Sequence, residues 1–288
     1  MKPFFGLRAH DFGCMPAKEL AVTIASFGAQ CVQLALAKAL PGNHVMPAGF
    51  GEPGLQEVRT AFAEHGISVA VIGCYIDTVT PDLAARECGL KRFEAHIDIA
   101  AMLGCNLIGT ETGSPIPYLD QTNGRETAFR VALDSLHRLI KAAEEKGVVV
   151  AVEAVAKHHA LSTIDHLREL TRQCDSPALG IIFDPVNLIP VAGVECMDKF
   201  LDECFATFGD RIVAVHAKDF KMVDGENGLV KMGDLPVGTT GVMDWTGVFR
   251  RLIEAGKQRV PILLEDTSPV YATDSFAYLQ RAWDKAME

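Results

Sequence analysis

The 288-residue chain lacks most of the patterns that announce a common chemistry. No apolar stretch approaches the roughly 18 residues of a membrane span, so no spanning helix is expected. None of the eight cysteines forms a C-x-x-C pair, and they read as reduced core or surface thiols. No G-x-G-x-x-G follows the first apolar run, where an open dinucleotide-binding sheet would carry it. Neither a P-loop nor G-x-S-x-G is present, which excludes the usual nucleotide-triphosphate and serine-hydrolase sites. Positive charge is also short. With 27 Lys and Arg against 37 Asp and Glu, the net charge is −10, which argues against nucleic acid or an anionic membrane as partner. The opening "MKPFFGLRAHDFG" has Arg8, His10 and Asp11 where a signal peptide needs an apolar core, so it reads as a first strand and the cytoplasm is the expected compartment.

What the chain does have is regular alternation. Short apolar runs occur at 4–8, 31–36, 68–74, 106–110, 148–153, 180–184, 212–216 and 261–265. Segments of helical period lie between them. In 125–146, Phe129, Leu133, Leu136, Ile140 and Ala143 share one stripe, and 83–104 repeats the pattern with Leu90, Phe93, Ile97 and Ala100. Further helices are expected near 16–27, 54–65, 163–174, 195–208, 244–256 and 272–286, and a glycine (28, 66, 104, 147, 256) follows five of the eight. Eight strand–helix units without a long interruption predict a single-domain (β/α)8 barrel over 1–288. Two connections, 37–53 and 217–243, exceed the usual βα length. Both follow strands, so both are expected to wall or cover a site at the strand ends.

Four of the apolar runs end on groups that hold metals. "VVVAVE" ends in Glu153, "IIFD" in Asp184, "IVAVH" in His216 and "PILLE" in Glu265. A buried carboxylate is costly unless paired, hydrogen-bonded or metal-bound, and one such residue alone means little. Four in order, 31, 32 and 49 residues apart, converge on one mouth of a parallel barrel. Three carboxylates and one imidazole suit one divalent ion, with Mn2+ the first expectation, Mg2+ or Co2+ next and Zn2+ admitted.

The motifs "AVEAV", "FDPVN", "HAKDF" and "LLEDT" resemble those of the xylose-isomerase-like TIM barrels, and "LPVGTTGVMDW" resembles that family's Gly-rich stretch before the seventh helix. The family includes sugar and sugar-phosphate isomerases and epimerases, inosose dehydratase and endonuclease IV. The resemblance implies that Glu153, Asp184, His216 and Glu265 are metal ligands, and that Glu153 and Glu265 also exchange protons with substrate. It further implies a homo-oligomer, dimer or tetramer. Where ketose 3-epimerases of the family place His, Arg and Glu, this chain has Asn187, Met222 and His159, so the resemblance supports the metal and the chemistry rather than a named sugar. Asn187 and the absence of histidines at the ends of the second and third runs also separate it from endonuclease IV.

The leading expectation is therefore a metal-dependent isomerase or epimerase of a small polyhydroxylated ketone or sugar, working through a metal-stabilised enediolate. A lyase of the inosose dehydratase type is the alternative, and a catalytically silent binding subunit is the alternative of another class. Candidate substrate contacts are His10, Glu111, His159, Asn187 and Lys218. Asp219 is expected either to orient His216 or to pair with Lys218, Asp266 to cap its loop or hold Lys157, and Trp245 to pack in the core. Cys74, at the end of its run, is the thiol singled out for reactivity.

Overall fold

The computed structural model of the protein describes residues 2–42, 51–226 and 228–288. The eight apolar runs form eight parallel strands: β1 (Phe4–Arg8), β2 (Cys31–Leu34), β3 (Ser68–Gly73), β4 (Leu107–Thr110), β5 (Val149–Glu153), β6 (Leu179–Phe183), β7 (Ile212–Ala217) and β10 (Pro261–Leu264). They close into a barrel in the order β1-β10-β7-β6-β5-β4-β3-β2. Buried on both faces, such strands need continuous rather than alternating apolar sequence, which is what these runs supply. Helices α1 (Ala17–Ser26), α3 (Gly51–Glu64), α4 (Leu83–Leu103), α5 (Gly124–Glu144), α6 (Ile164–Gln173), α8 (Met197–Phe208), α9 (Trp245–Glu254) and α10 (Pro269–Met287) form the outer layer. The chain is thus the (β/α)8 barrel that the alternation predicts.

Side chains fill the barrel, leaving no room for a pore. A Cβ on Gly109 of β4 would stand 2.7 Å from Ile182 Cδ1 of β6, so the opposing strand's side chain occupies the space that glycine vacates. The seam between first and last strands is packed by aromatics. Phe249 lies 6.5 Å from Phe5, 5.8 Å from Trp245 and 5.3 Å from Trp283, centroid to centroid. Trp245 is buried, as expected, and its indole nitrogen donates to the Lys218 carbonyl at 3.2 Å. Removing such a ring costs about 3–5 kcal/mol in a packed core.

The long connection after β7 is not an irregular loop. It folds into an antiparallel hairpin of β8 (Asp219–Gly225) and β9 (Gly228–Leu235), a separate two-stranded sheet. The connection at 37–53 begins with a short helix, α2 (Leu36–Ala39), but residues 43–50 lie outside the described residues. A further short helix, α7 (Pro185–Leu188), follows β6 and matters for the site.

Candidate metal centre

Parallel closure brings all strand C-termini to one rim. Glu153 is the last residue of β5, Asp184 follows β6, His216 lies in β7 and Glu265 follows β10. One ligand-type atom from each lies within 4.8 Å of the others, and all four residues are buried. Asp184 divides its two oxygens. Oδ1 accepts from the Asn187 amide at 2.7 Å, capping α7, while Oδ2 is buried with no hydrogen bond. His216 Nδ1 and Glu265 Oε2 are buried without hydrogen bonds as well. Buried polar atoms without a hydrogen bond are rare in interiors, and three such atoms, held only by ion pairs and gathered in one small space, fit a bound cation.

His216 is oriented from across the barrel. Its Nε2 lies 2.7 Å from Gln33 Oε1, and Gln33 Nε2 donates to the Tyr75 hydroxyl at 2.6 Å. A carbonyl oxygen facing Nε2 makes that nitrogen the proton-bearing one in the neutral ring, so Nδ1, 3.0 Å from Glu153 Oε2, is the nitrogen that would meet an ion; without one it carries a proton towards Glu153. Burial opposes charge on His216, but Glu265 and Glu153 outweigh it and raise the imidazole to about 9 when no ion is bound.

Two cations stand among the carboxylates. Lys218 Nζ is 3.0 Å from Glu265 Oε2, 3.3 Å from Asp184 Oδ2, 3.2 Å from Asp266 Oδ2 and 3.5 Å from Asp234 Oδ1. Arg8, from the end of β1, reaches Glu265, Asp266 and Asp11. Burial works to raise Glu265, yet His216, Lys218 and Arg8 hold its carboxyl well below the usual carboxylate range. Asp184 goes the other way. Burial, only partly offset by Lys218 and reinforced by Glu265 and Glu153, lifts it to about 7. With His216 neutral and all three carboxylates ionised, as metal ligands would be, the one buried ammonium between them leaves negative charge for an ion to balance.

Of the five candidate substrate contacts, Asn187 and Lys218 are drawn into the cluster itself. Asn187 Nδ2 donates to Glu153 Oε1 at 2.6 Å. The other three stand on the walls. His159 Nε2 is 3.6 Å from Glu111 Oε2, and burial together with Glu153 and Glu265 lifts Glu111 to about 7. His10 packs edge-on to Tyr75, with Nδ1 buried and unpartnered. Asp219 does neither of the things its position predicts. Its carboxylate accepts from the backbone amides of Phe220, Thr240, Gly241 and Met243, pinning the 236–244 loop to the hairpin base. Asp266 binds Arg8 and Lys218 rather than Lys157. Cys74 is buried, and burial pushes its thiol up to about 12, so it is no nucleophile at neutral pH. Gln33, Tyr75 and Arg8 are the residues that reading along the chain passes over. A glutamine inside the otherwise apolar "CVQLAL" is the one signal that marks Gln33.

Residues 22–282 match the sequence profile of the xylose isomerase-like TIM barrel family. A 3-dehydroshikimate dehydratase of Pseudomonas putida is 24% identical over 218 residues, covering 76% of this chain, and the match spans 29% of that protein's length. The apo 3-keto-D-glucoside 4-epimerase YcjR of E. coli superposes with a TM-score of 0.73 at 18% identity, over 97% of this chain and 100% of the other. A xylose isomerase-like TIM barrel protein of Mycobacterium smegmatis, in complex with magnesium, superposes with a TM-score of 0.71 at 16% identity, over 98% and 95%. At these identities the two structures establish the shared fold.

Proposed function

The chain belongs to the xylose isomerase-like TIM barrel family, and from that premise we propose that it is a divalent-metal-dependent isomerase or epimerase of a small polyhydroxylated carbonyl compound. The observation that carries this reading is the convergence of Asp184 Oδ2, His216 Nδ1 and Glu265 Oε2, buried and without hydrogen bonds, beside Glu153. Glu153, Asp184, His216 and Glu265 would hold the ion, as Mn2+ or Mg2+. The ion, when bound, supplies a Lewis acid that polarises a carbonyl and makes the neighbouring C–H more acidic.

The two glutamates are unequal partners in the proton transfers. Glu153 is contacted by the neutral Asn187 amide and by His216, and no Lys or Arg lies within 4.0 Å of it among the described residues. It is the residue assigned to take the proton from the carbon next to the carbonyl. Glu265, which His216, Lys218 and Arg8 hold in its ionised form, would return a proton only after taking one up from solvent or from a substrate hydroxyl. Lys218 keeps the acidic centre from repelling an incoming oxygen, and Asn187 fixes the direction of the Glu153 carboxylate. Return of the proton to the opposite face gives an epimer; return to the adjacent carbon gives an isomer.

Dehydration is the second reading, supported by the Pseudomonas putida relative. It shares the abstraction step and replaces proton return with loss of a hydroxyl, for which Glu111, lifted to about 7 on the wall, is the available proton donor. The test is a screen of ketoses, aldoses and keto-cyclitols in D2O with Mn2+, followed by NMR. Deuterium at the carbon next to the carbonyl with a new stereoisomer supports the first reading, and an unsaturated product supports the second. No exchange with any of these compounds overturns both.

A further inference from the structure

A cleft of about 470 Å³ opens between the β5–α6 connection, the α7 turn and β9, and is lined in part by Lys157, His158, Asn187, Lys231 and Asp234. Asn187 joins it to the cluster, since the same side chain that lines the cleft donates to Glu153. A molecule whose carbonyl lies at the cluster can therefore reach this cleft past Asn187.

The cations around the rim fall into two kinds. Arg8 and Lys218 are each held by several carboxylates. Lys157 and Lys231 are not: among the described residues neither has a carboxylate oxygen within 4.0 Å, and Asp234, the acid that shares the cleft, sits beside Lys218. Lys231 is half-buried and donates to the carbonyls of Val186 at 2.5 Å and Ile189 at 2.7 Å, which leaves one of its three N–H donors free. Burial depresses this ammonium to about 8, with Lys218 and Lys157 adding to the effect against Asp184. If Lys231 only joined the hairpin to the α7 turn, a neutral donor would do so without that desolvation cost. Lys157 sits at φ 66°, a left-handed backbone that strains a side-chain-bearing residue, at the mouth of the same cleft.

We propose that Lys157 and Lys231 form an anion subsite, so that the substrate carries a carboxylate or phosphate group in addition to its carbonyl and hydroxyls. This rests on the reading above that the carbonyl lies at the cluster. The anion neutralises two ammonium groups that have no carboxylate partner among the described residues, and it orients the carbon chain from Lys231 past Asn187 towards Glu153. A neutral sugar would leave both charges without a partner, which makes the pair a specificity device as well as an anchor.

The test titrates the Mg2+-loaded protein with inorganic phosphate and, separately, with acetate. The lysine methylene resonances next to the ammonium groups are followed by NMR. The expected result is saturable binding of one of the two anions with a dissociation constant at or below about 10 mM, weakened about tenfold or more in both Lys231→Gln and Lys157→Gln. The preferred anion identifies the substrate's group as phosphate or carboxylate. Lys157→Gln removes no contact that holds the fold, so it stays informative if Lys231→Gln loosens the hairpin. Two results would overturn the subsite: no saturation by either anion, or affinity unchanged in Lys157→Gln, as direct binding at the metal would give. The titration reads no turnover. Intact anion binding without D2O exchange would thus count against the proposed reaction alone, and exchange with neutral sugars but no anion binding would count against the subsite alone.

Discussion

The rim of the barrel divides into two unlike arcs. From β5 through β6, β7 and β10 to β1, each strand delivers a charged or metal-binding group: Glu153, Asp184, His216, Glu265 and Arg8. From β2 through β3 to β4 the corresponding positions carry Gln33, Tyr75 and Thr110, with Glu111 one step beyond. The first arc concentrates charge of both signs, and with His216 neutral its carboxylates outnumber the ammonium between them. The second sets the neutral Gln33 and Tyr75 against the centre, and its Glu111 is lifted to about 7. The difference teaches a division of labour. One arc holds charge, and the other fixes geometry through neutral hydrogen bonds such as Gln33 to His216.

The strongest way to break this comparison is to alter one acid in each arc. Glu153→Gln is expected to fold normally and lose turnover by a factor on the order of 10²–10⁴, as when a general base is removed. Glu111→Gln is expected to lose less than about tenfold in isomerisation or epimerisation, because a group about half neutral near pH 7 and assigned no proton transfer in those reactions gives up little when made permanently neutral. Equal losses in steady-state assays would erase the distinction between the arcs.

Metal removal is the next largest effect. Stripping the ion with EDTA restores the repulsion among Glu153, Asp184 and Glu265. With the metal at about a hundred times its dissociation constant, about 2.7 kcal/mol of stabilisation is lost, which calorimetry reads as a fall of several degrees in Tm. An unchanged Tm would mean that Lys218 and Arg8 already satisfy the charged arc.

Gln33→Leu probes the neutral arc. Releasing His216 Nε2 is expected to weaken metal binding about 10–100-fold by titration calorimetry, and Gln33→Glu is expected to recover part of it, because a carboxylate oxygen also accepts from Nε2. Full affinity in the leucine variant would show that the tautomer is set elsewhere.

The smallest effect lies behind the neutral arc. His96 on α4 is buried, and burial lowers its imidazole below the ordinary value, while its Nδ1 sits 2.7 Å from the Arg92 carbonyl. Below about pH 6.5 the unfolded chain takes up a proton that the folded protein resists, so this group's contribution is full above that value and declines as the pH falls. Tm should therefore fall less between pH 7 and pH 5.5 in His96→Gln than in the natural protein. An identical fall in both would assign the acid sensitivity to other histidines.

Within the hairpin, a readable signal goes unused when the stretch is treated as loop. "DFKMVDGENGLVKMGDL" carries two Asp-Gly and Asn-Gly turn dipeptides between two strand-like runs, the mark of a β-hairpin. Its consequence for the site, Lys231 reaching the Val186 and Ile189 carbonyls, cannot be read from spacing, because those partners lie 45 and 42 residues away.

The sequence by itself determined the eight barrel strands, the eight outer helices and the four residues that converge at the rim. Strand runs buried on both faces must be apolar, so a charge at their ends stands out, and parallel closure sends every such end to one rim. Only the tertiary structure decided which oxygen of Asp184 caps α7 and which faces the centre, that Gln33 meets His216 across 183 residues, and that Arg8 and Lys218 crowd Glu265 but not Glu153. These are matters of direction and a few ångströms. Barrel closure sets them by pairing β1 with β10, which the chain reaches only at its far end, and by facing β2 towards β7 across the barrel, so no periodicity along the chain encodes them.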